Sequence, residues 1–238
     1  MRLRRRTALH LALITALWAS CAPTARAQFD RFSFNSEGPA PSIFPGNIAR
    51  TGADAGAAQA ILTDPNSAGT MFIGAVNGGV WRTTNGGQTW TPLTDNQSSL
   101  SIASLSYKVG DANTIYAGIG ITSNGRFGNM IPEDHGGART GILSSTDGGA
   151  SWKQLDRTTI TAALQNRSVV GVAANANVIL AATAEYLDPA ATAGYGLYRS
   201  VNGGSFQLVS GLPAGPANSL TGQGTQGNPY YVTIAGQG

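Results

Sequence analysis

The sequence predicts an all-β fold, a β-propeller of four-stranded antiparallel blades, and three observations carry that prediction. Short runs rich in β-branched and aromatic residues alternate with clusters of Asp, Asn, Gly and Pro, the pattern of strands separated by turns. A Gly-Gly turn followed by an aromatic residue recurs in "RTTNGGQTWTPL" (82–93), "SSTDGGASWKQL" (144–155) and "RSVNGGSFQLV" (199–209). With 32 glycines and only 11% charged residues in 238, the composition is turn-rich and globular. The copies lie 62 and then 55 residues apart, and four strands in such a period mark a propeller blade. About three complete blades and the start of a fourth are expected.

The chain opens outside that repeat. "MRLRRR" is a basic start, "TALHLALITALWAS" is apolar, and Ala25-Arg26-Ala27 before Gln28 fits the small-x-small cleavage rule. The apolar run is shorter than the ~20 residues that span a bilayer. Residues 1–27 therefore read as a cleaved signal peptide, with a lipid anchor on Cys21 as the alternative, and the protein as secreted or periplasmic with no membrane span after cleavage. Residues 28–56 form a lead-in segment.

Cleavage changes the charge balance. Five of the fifteen bases and none of the twelve acids precede Gln28, so the net charge falls from +3 to −2. The basic patch expected of a nucleic-acid binder is absent, and no nucleic-acid partner is expected. The only cysteine leaves with the signal, which removes disulfides, thiolate ligands and a Cys nucleophile. His135 becomes the sole histidine, so a zinc site built from several histidines is excluded, and neither a metal nor a cofactor is expected.

The blades follow at about 57–95, 100–157 and 167–212, with a fourth begun at about 217. In the first, strands are expected at Gln59–Thr63, Met71–Ala75, Val80–Thr83 and Thr89–Leu93. The second has Ile102–Tyr107, Thr114–Gly118, Gly141–Ser144 and Ser151–Leu155. The third has Val169–Ala173, Val178–Ala182, Gly196–Arg199 and Ser205–Val209. A fourth unit is visible in "TQGNPYYVTIAGQG". Because known propellers use about four to eight blades, this reading expects missing blades in a longer chain, or self-association.

Thr83, Asn85, Gly87 and Trp90, and again Ser145, Asp147, Gly149 and Trp152, fill S/T-x-D/N-x-G-x-x-W. This resembles the Asp-box, or BNR, repeat of sialidases, sortilin-type receptors and xyloglucan-degrading endoglucanases. A short Asp or Asn side chain accepts hydrogen bonds from N–H groups of its own turn, and glycine takes the positive φ that other residues resist. The tryptophan then starts the outer strand and folds back on the blade, burying about 150–250 Å². The box is thus a structural staple. In the third copy Ser200, Asn202 and Gly204 are in register, but Phe206 comes one position early. A weaker staple is expected there.

In an antiparallel blade, successive connections alternate between the two faces of the disc. The first-to-second turns share a face with the boxes, and the second-to-third connections emerge opposite. The first of these is only "VNGG", but the second swells to Ile121–Arg139 and the third to "EYLDPAATAGYG" (185–196). Long loops on a compact scaffold carry function. Arg126, Glu133, Asp134, His135 and Arg139 in one, with Tyr186 and Asp188 in the other, are the candidate ligand-binding residues, and Tyr195 could stack on a sugar ring.

Three functional classes use this repeat. The sialidase class is implied to carry Phe-Arg-Ile-Pro near its start, which is missing; "SIFPGNIAR" is the nearest run. "DPNSAGTMFIGAVNGGVWRTTNGGQTW" (64–90) resembles the first blade of xyloglucan-cleaving endoglucanases, and that resemblance implies a catalytic Asp two residues before Gly78-Gly79. Val76 stands there, with Asn77 next, and neither can protonate a glycosidic oxygen or activate water. No catalytic residue is assigned. The expected role is a non-catalytic binding or scaffold module for polysaccharide or an extracellular or envelope protein; the alternative is a glycoside hydrolase whose catalytic residues lie partly outside this chain.

Overall fold

The computed structural model describes residues 58–120, 138–156, 158–184 and 194–236. Four strands, β1 (Ala58–Thr63), β2 (Met71–Ala75), β3 (Gly79–Thr83) and β4 (Thr91–Pro92), form one sheet in chain order. Every neighbouring pair is antiparallel. The same meander repeats in β5 (Ile102–Lys108), β6 (Asp111–Ile119), β7 (Ile142–Ser145) and β8 (Lys153–Gln154), and in β9 (Ser168–Asn175), β10 (Val178–Ala184), β11 (Gly196–Val201) and β12 (Gln207–Leu208). A hairpin of β13 (Ala217–Thr221) and β14 (Tyr231–Ile234) follows.

The second and third meanders join edge to edge through their first strands. β5 and β9 run parallel and meet at one bridge, Lys108 to Ala174, where the Val109 N–H donates to the Ala174 carbonyl at 2.8 Å. First strands that lie parallel in successive meanders are what radial repetition of a blade requires. The described chain is an all-β array of propeller-type blades.

The apolar residues that specify these strands are buried between blades. Phe72 and Val80 of the first pack with Ile115, Ala117, Leu143 and Trp152 of the second. Phe72 meets the Tyr107 ring edge-on, with centroids 6.3 Å apart. Ile142 of the second blade packs with Val172, Ala181, Tyr198 and Phe206 of the third, and Leu180 and Leu197 of the third with Ala217 of the hairpin. Each large apolar side chain so buried contributes about 1.5–3 kcal/mol.

Three details depart from the sequence reading. The fourth strands pair over two residues only, because Trp90 and Trp152 precede the ladder and do not begin it. A 3-10 turn at Ala162–Leu164 fills the connector before β9. The third turn is also one residue tighter: positive φ falls on Gly148 and Gly149 in the second turn but on Asn202 and Gly203 in the third. This shift brings Phe206 into the blade interface, where it is 1% exposed, against 8% for Trp152. The tighter turn thus compensates for the missing position in placing the aromatic ring, whatever the strength of the turn itself.

Candidate binding face

The strand directions divide the connections between two faces, and the hydrogen bonds show one face committed to holding the fold. The Thr83 hydroxyl donates to Asn85 Oδ1 at 2.9 Å and accepts from the Gly87 N–H at 2.9 Å, while Asn85 Oδ1 also accepts from the Thr89 N–H at 3.0 Å. Ser145, Asp147, Gly149 and Ser151 repeat the arrangement at 2.7, 2.9 and 2.9 Å. The Trp152 indole N–H closes it by donating to the Gly149 carbonyl at 3.0 Å. In the third turn the Ser200 hydroxyl instead donates to the Gly204 carbonyl at 2.5 Å, and Asn202 Oδ1 accepts from Asn177 Nδ2.

These turns are also tied to the first-to-second turns beside them. The N–H groups of Gly86, Gly148 and Asn202 donate to the carbonyls of Gly69, Asn113 and Asn177 at 2.9, 2.9 and 2.8 Å. The hydroxyl and amide donors around Asp147, that of Ser151 foremost, hold its carboxyl down at about 2. Hydrogen bonding to the charged form is what lowers it. That face spends its polar groups on itself.

The opposite face carries the second-to-third connections. In the first blade it is formed by Val76, Asn77 and Gly78. Val76 is 5% exposed; Asn77 takes a left-handed φ of 62° and projects to solvent, its Oδ1 accepting from the Ser101 hydroxyl at 3.0 Å. Asp156, exposed on this side, accepts from the Thr159 and Thr158 hydroxyls at 2.6 and 2.7 Å and from the Thr158 N–H at 2.8 Å. Those donors, the Thr159 hydroxyl first, hold its carboxyl at about 2.

At the root of the third connection the side chain of Arg167 lies against two tyrosines. Its guanidinium carbon is 5.7 Å from the Tyr195 ring centroid and 5.8 Å from that of Tyr198. Nε donates to the Gly194 carbonyl at 2.5 Å and Nη1 to the Ala163 carbonyl at 2.8 Å, while the Tyr198 hydroxyl shares the Gly194 carbonyl at 2.6 Å. Cation–π contact of this kind is worth about 0.5–2 kcal/mol, so the residues where the third connection rejoins β11 are fixed in place. Arg139 is half-buried at the end of the second connection, and its carbonyl accepts from the Asn166 N–H at 3.0 Å. Arg139 and Tyr195 thus root the two long connections on the same face.

Arg126, Glu133, Asp134, His135, Tyr186 and Asp188 lie outside the described residues, as do the signal peptide and the lead-in segment. Sequence reasoning passed over Arg167, and the available signal was faint: it is one of two bases, with Arg157, in the connector before β9. Among the described residues no helix is long and apolar enough to cross a membrane.

No family model matches the chain, and no curated protein matches it. Among solved structures, an ancestral GH74 enzyme is similar at 23% identity and a TM-score of 0.46, over 69% of this chain and 19% of that one. YCF48 from Cyanidioschyzon merolae is similar at 19% identity and a TM-score of 0.40, over 64% of this chain and 36% of that one. The GH74 xyloglucanase from Xanthomonas campestris gives 19% identity and a TM-score of 0.37, over 76% of this chain and 35% of that one. The matched stretch spans 19% to 36% of those chains' lengths. The blade assignment itself rests on the strand order and register.

Proposed function

We propose that this is an exported Asp-box propeller module that binds polysaccharide, or an extracellular or envelope protein, without catalysis. The ligand is taken by the face that carries the second-to-third connections. The candidate residues are Arg126, Glu133, Asp134, His135 and Arg139 in the second blade and Tyr186 and Asp188 in the third. The opposite face holds the Asp-boxes, which staple the blades.

The observation that carries the non-catalytic reading is the state of the polar groups on that face. A glycosidase acid needs a raised pKa and a carboxylate partner. Asp156 is held at about 2 by its three donors, and the position before Asn77 is a buried valine. An amide and a valine cannot transfer the proton. Asn77, Arg139 and Tyr195 offer what sugar binding uses: an amide, a cation and an aromatic ring. The glycosidase alternative is favoured by one feature, the likeness of residues 64–90 to a xyloglucanase first blade, and requires acids supplied from outside the described residues.

A glycan array probed with the exported protein, run beside an assay of released reducing ends on a β-glucan panel, separates the two. Retention without release supports the module. Turnover that disappears in Asp134→Asn establishes the enzyme and ends this reading.

A further inference from the structure

Arg167 is a half-buried cation that lacks a counter-charge. Arginine withdrawn from water is ordinarily paired, yet among the described residues no carboxylate pairs with this one. The acid of its own connector, Asp156, has both oxygens taken by Thr158 and Thr159. A guanidinium carries five N–H donors. The carbonyls of Gly194 and Ala163 take one each, from Nε and Nη1, which leaves the second donor of Nη1 and both of Nη2. Nη2 is not among the buried polar atoms without a partner, so it opens to solvent.

The fold sets those donors on the connection face, where the third blade joins the second. Arg167 immediately precedes β9, the strand that bridges to β5, and Gly194 and Tyr195 immediately precede β11. The Asn166 N–H donates to the Arg139 carbonyl at 3.0 Å, which brings the end of the second connection to the same place. A Cβ at Gly194 would strike Nη2, so the glycine, with a φ of +77°, is what leaves the guanidinium its room. Half-buried Tyr195 lies beside it, its ring centroid 5.7 Å from the guanidinium carbon. A fixed guanidinium with unspent donors takes a carboxylate in two parallel hydrogen bonds, and a tyrosine ring beside it takes the apolar face of a sugar.

We propose that Arg167 is an anion subsite of this face and that its ligand is an acidic polysaccharide, a uronate carboxylate being held by Nη1 and Nη2 while its sugar ring lies against Tyr195. The inference rests on the reading of the connection face as the ligand-binding face, and gives that face a ligand class. A neutral glucan leaves the unspent donors to water, and an acidic peptide brings no sugar ring to Tyr195. The exported chain has a net charge of −2, so long-range attraction does not gather an acidic polymer and the local cation decides its binding.

Titration calorimetry of the exported protein with an oligogalacturonate and with its methyl ester tests it, because the ester keeps the sugar and removes the charge. The acid is expected to bind about 10- to 150-fold more tightly than the ester, the range for hydrogen bonds to a charged group, and that preference is expected to shrink as salt rises. Arg167→Gln is expected to bring the acid down to the affinity of the ester and leave the ester unchanged, whereas a purely structural role lowers both alike. Arg167→Lys, which keeps the charge and loses the fork, is expected to fall between. Equal affinity for acid and ester overturns the proposal, as does a preference that survives Arg167→Gln, an equal loss for both ligands in that variant, or tighter binding of polyglutamate or a sulfated glycan than of the oligogalacturonate. A neutral β-glucan bound in place of the oligogalacturonate overturns this inference and leaves the polysaccharide-binding module standing; retention of no glycan at all ends both.

Discussion

Two adjacent glycines in the second turn separate backbone conformation from packing. Gly148 and Gly149 have φ of +69° and +83°, so alanine at either is strained by about 1–2 kcal/mol. Their surroundings differ. A Cβ on Gly148 meets nothing closer than Asn113 Oδ1 at 3.7 Å, an ordinary contact. A Cβ on Gly149 meets Phe72 Cε1 at 2.7 Å and Leu93 Cδ1 at 3.4 Å, both in the first blade. Phe72 is 2% exposed and held by the interface, so the ring cannot step aside, and overpacking of this kind adds about 1–3 kcal/mol. Gly148→Ala is therefore expected to cost about 1–2 kcal/mol and Gly149→Ala about 2–5 kcal/mol. Urea melts at constant m-value read the difference. In a double-mutant cycle, Phe72→Leu should recover part of the Gly149→Ala loss and none of the Gly148→Ala loss. Equal losses at the two glycines, or no coupling to Phe72, would refute the claim that the turn glycine belongs to the inter-blade interface.

Two further outcomes follow from burial and charge. Trp152→Ala and Phe206→Ala should each cost about 3–5 kcal/mol, and half-buried Trp90→Ala less; a larger loss at Trp90 would contradict the packing described. The Asp147 and Asp156 carboxyls are depressed to about 2 in the folded protein, against about 3.9 in an unfolded chain. Their stabilisation is present above about pH 4 and is lost as pH falls through 2. Asp147→Asn with Asp156→Asn should therefore flatten the decline in melting temperature between those values, and an unchanged decline would show that these carboxyls do not contribute to it.

The blade pattern was legible because inner strands must satisfy two interfaces at once, which forces apolar residues at most positions of β5, β6, β9 and β10. The hydroxyl, amide and glycine spacing of the first two turns was equally legible, since Thr83 and Ser145 perform the same hydrogen-bonding task at the same offsets. The outer strands were overestimated. Their residues look strand-like, but only Thr91 and Pro92, for instance, have ladder partners, on an edge where proline is tolerated. The depth of Phe206 was hidden because a one-residue tightening of the turn depends on Asn202 adopting a positive φ, which nothing in the spacing reveals. Arg167 was missed for a different reason: its tyrosines, Tyr195 and Tyr198, are about thirty residues away and join it only once β9 and β11 are in place.

Hydrogen–deuterium exchange on the protein with and without a polysaccharide retained by the array tests the account's central claim most directly. The account predicts protection in peptides holding Asn77, Arg139 and Tyr195, with peptides covering 85–89 and 147–151 unchanged and no sugar released. Protection of the Gly-Gly turns, with the connection face unaltered, would contradict it.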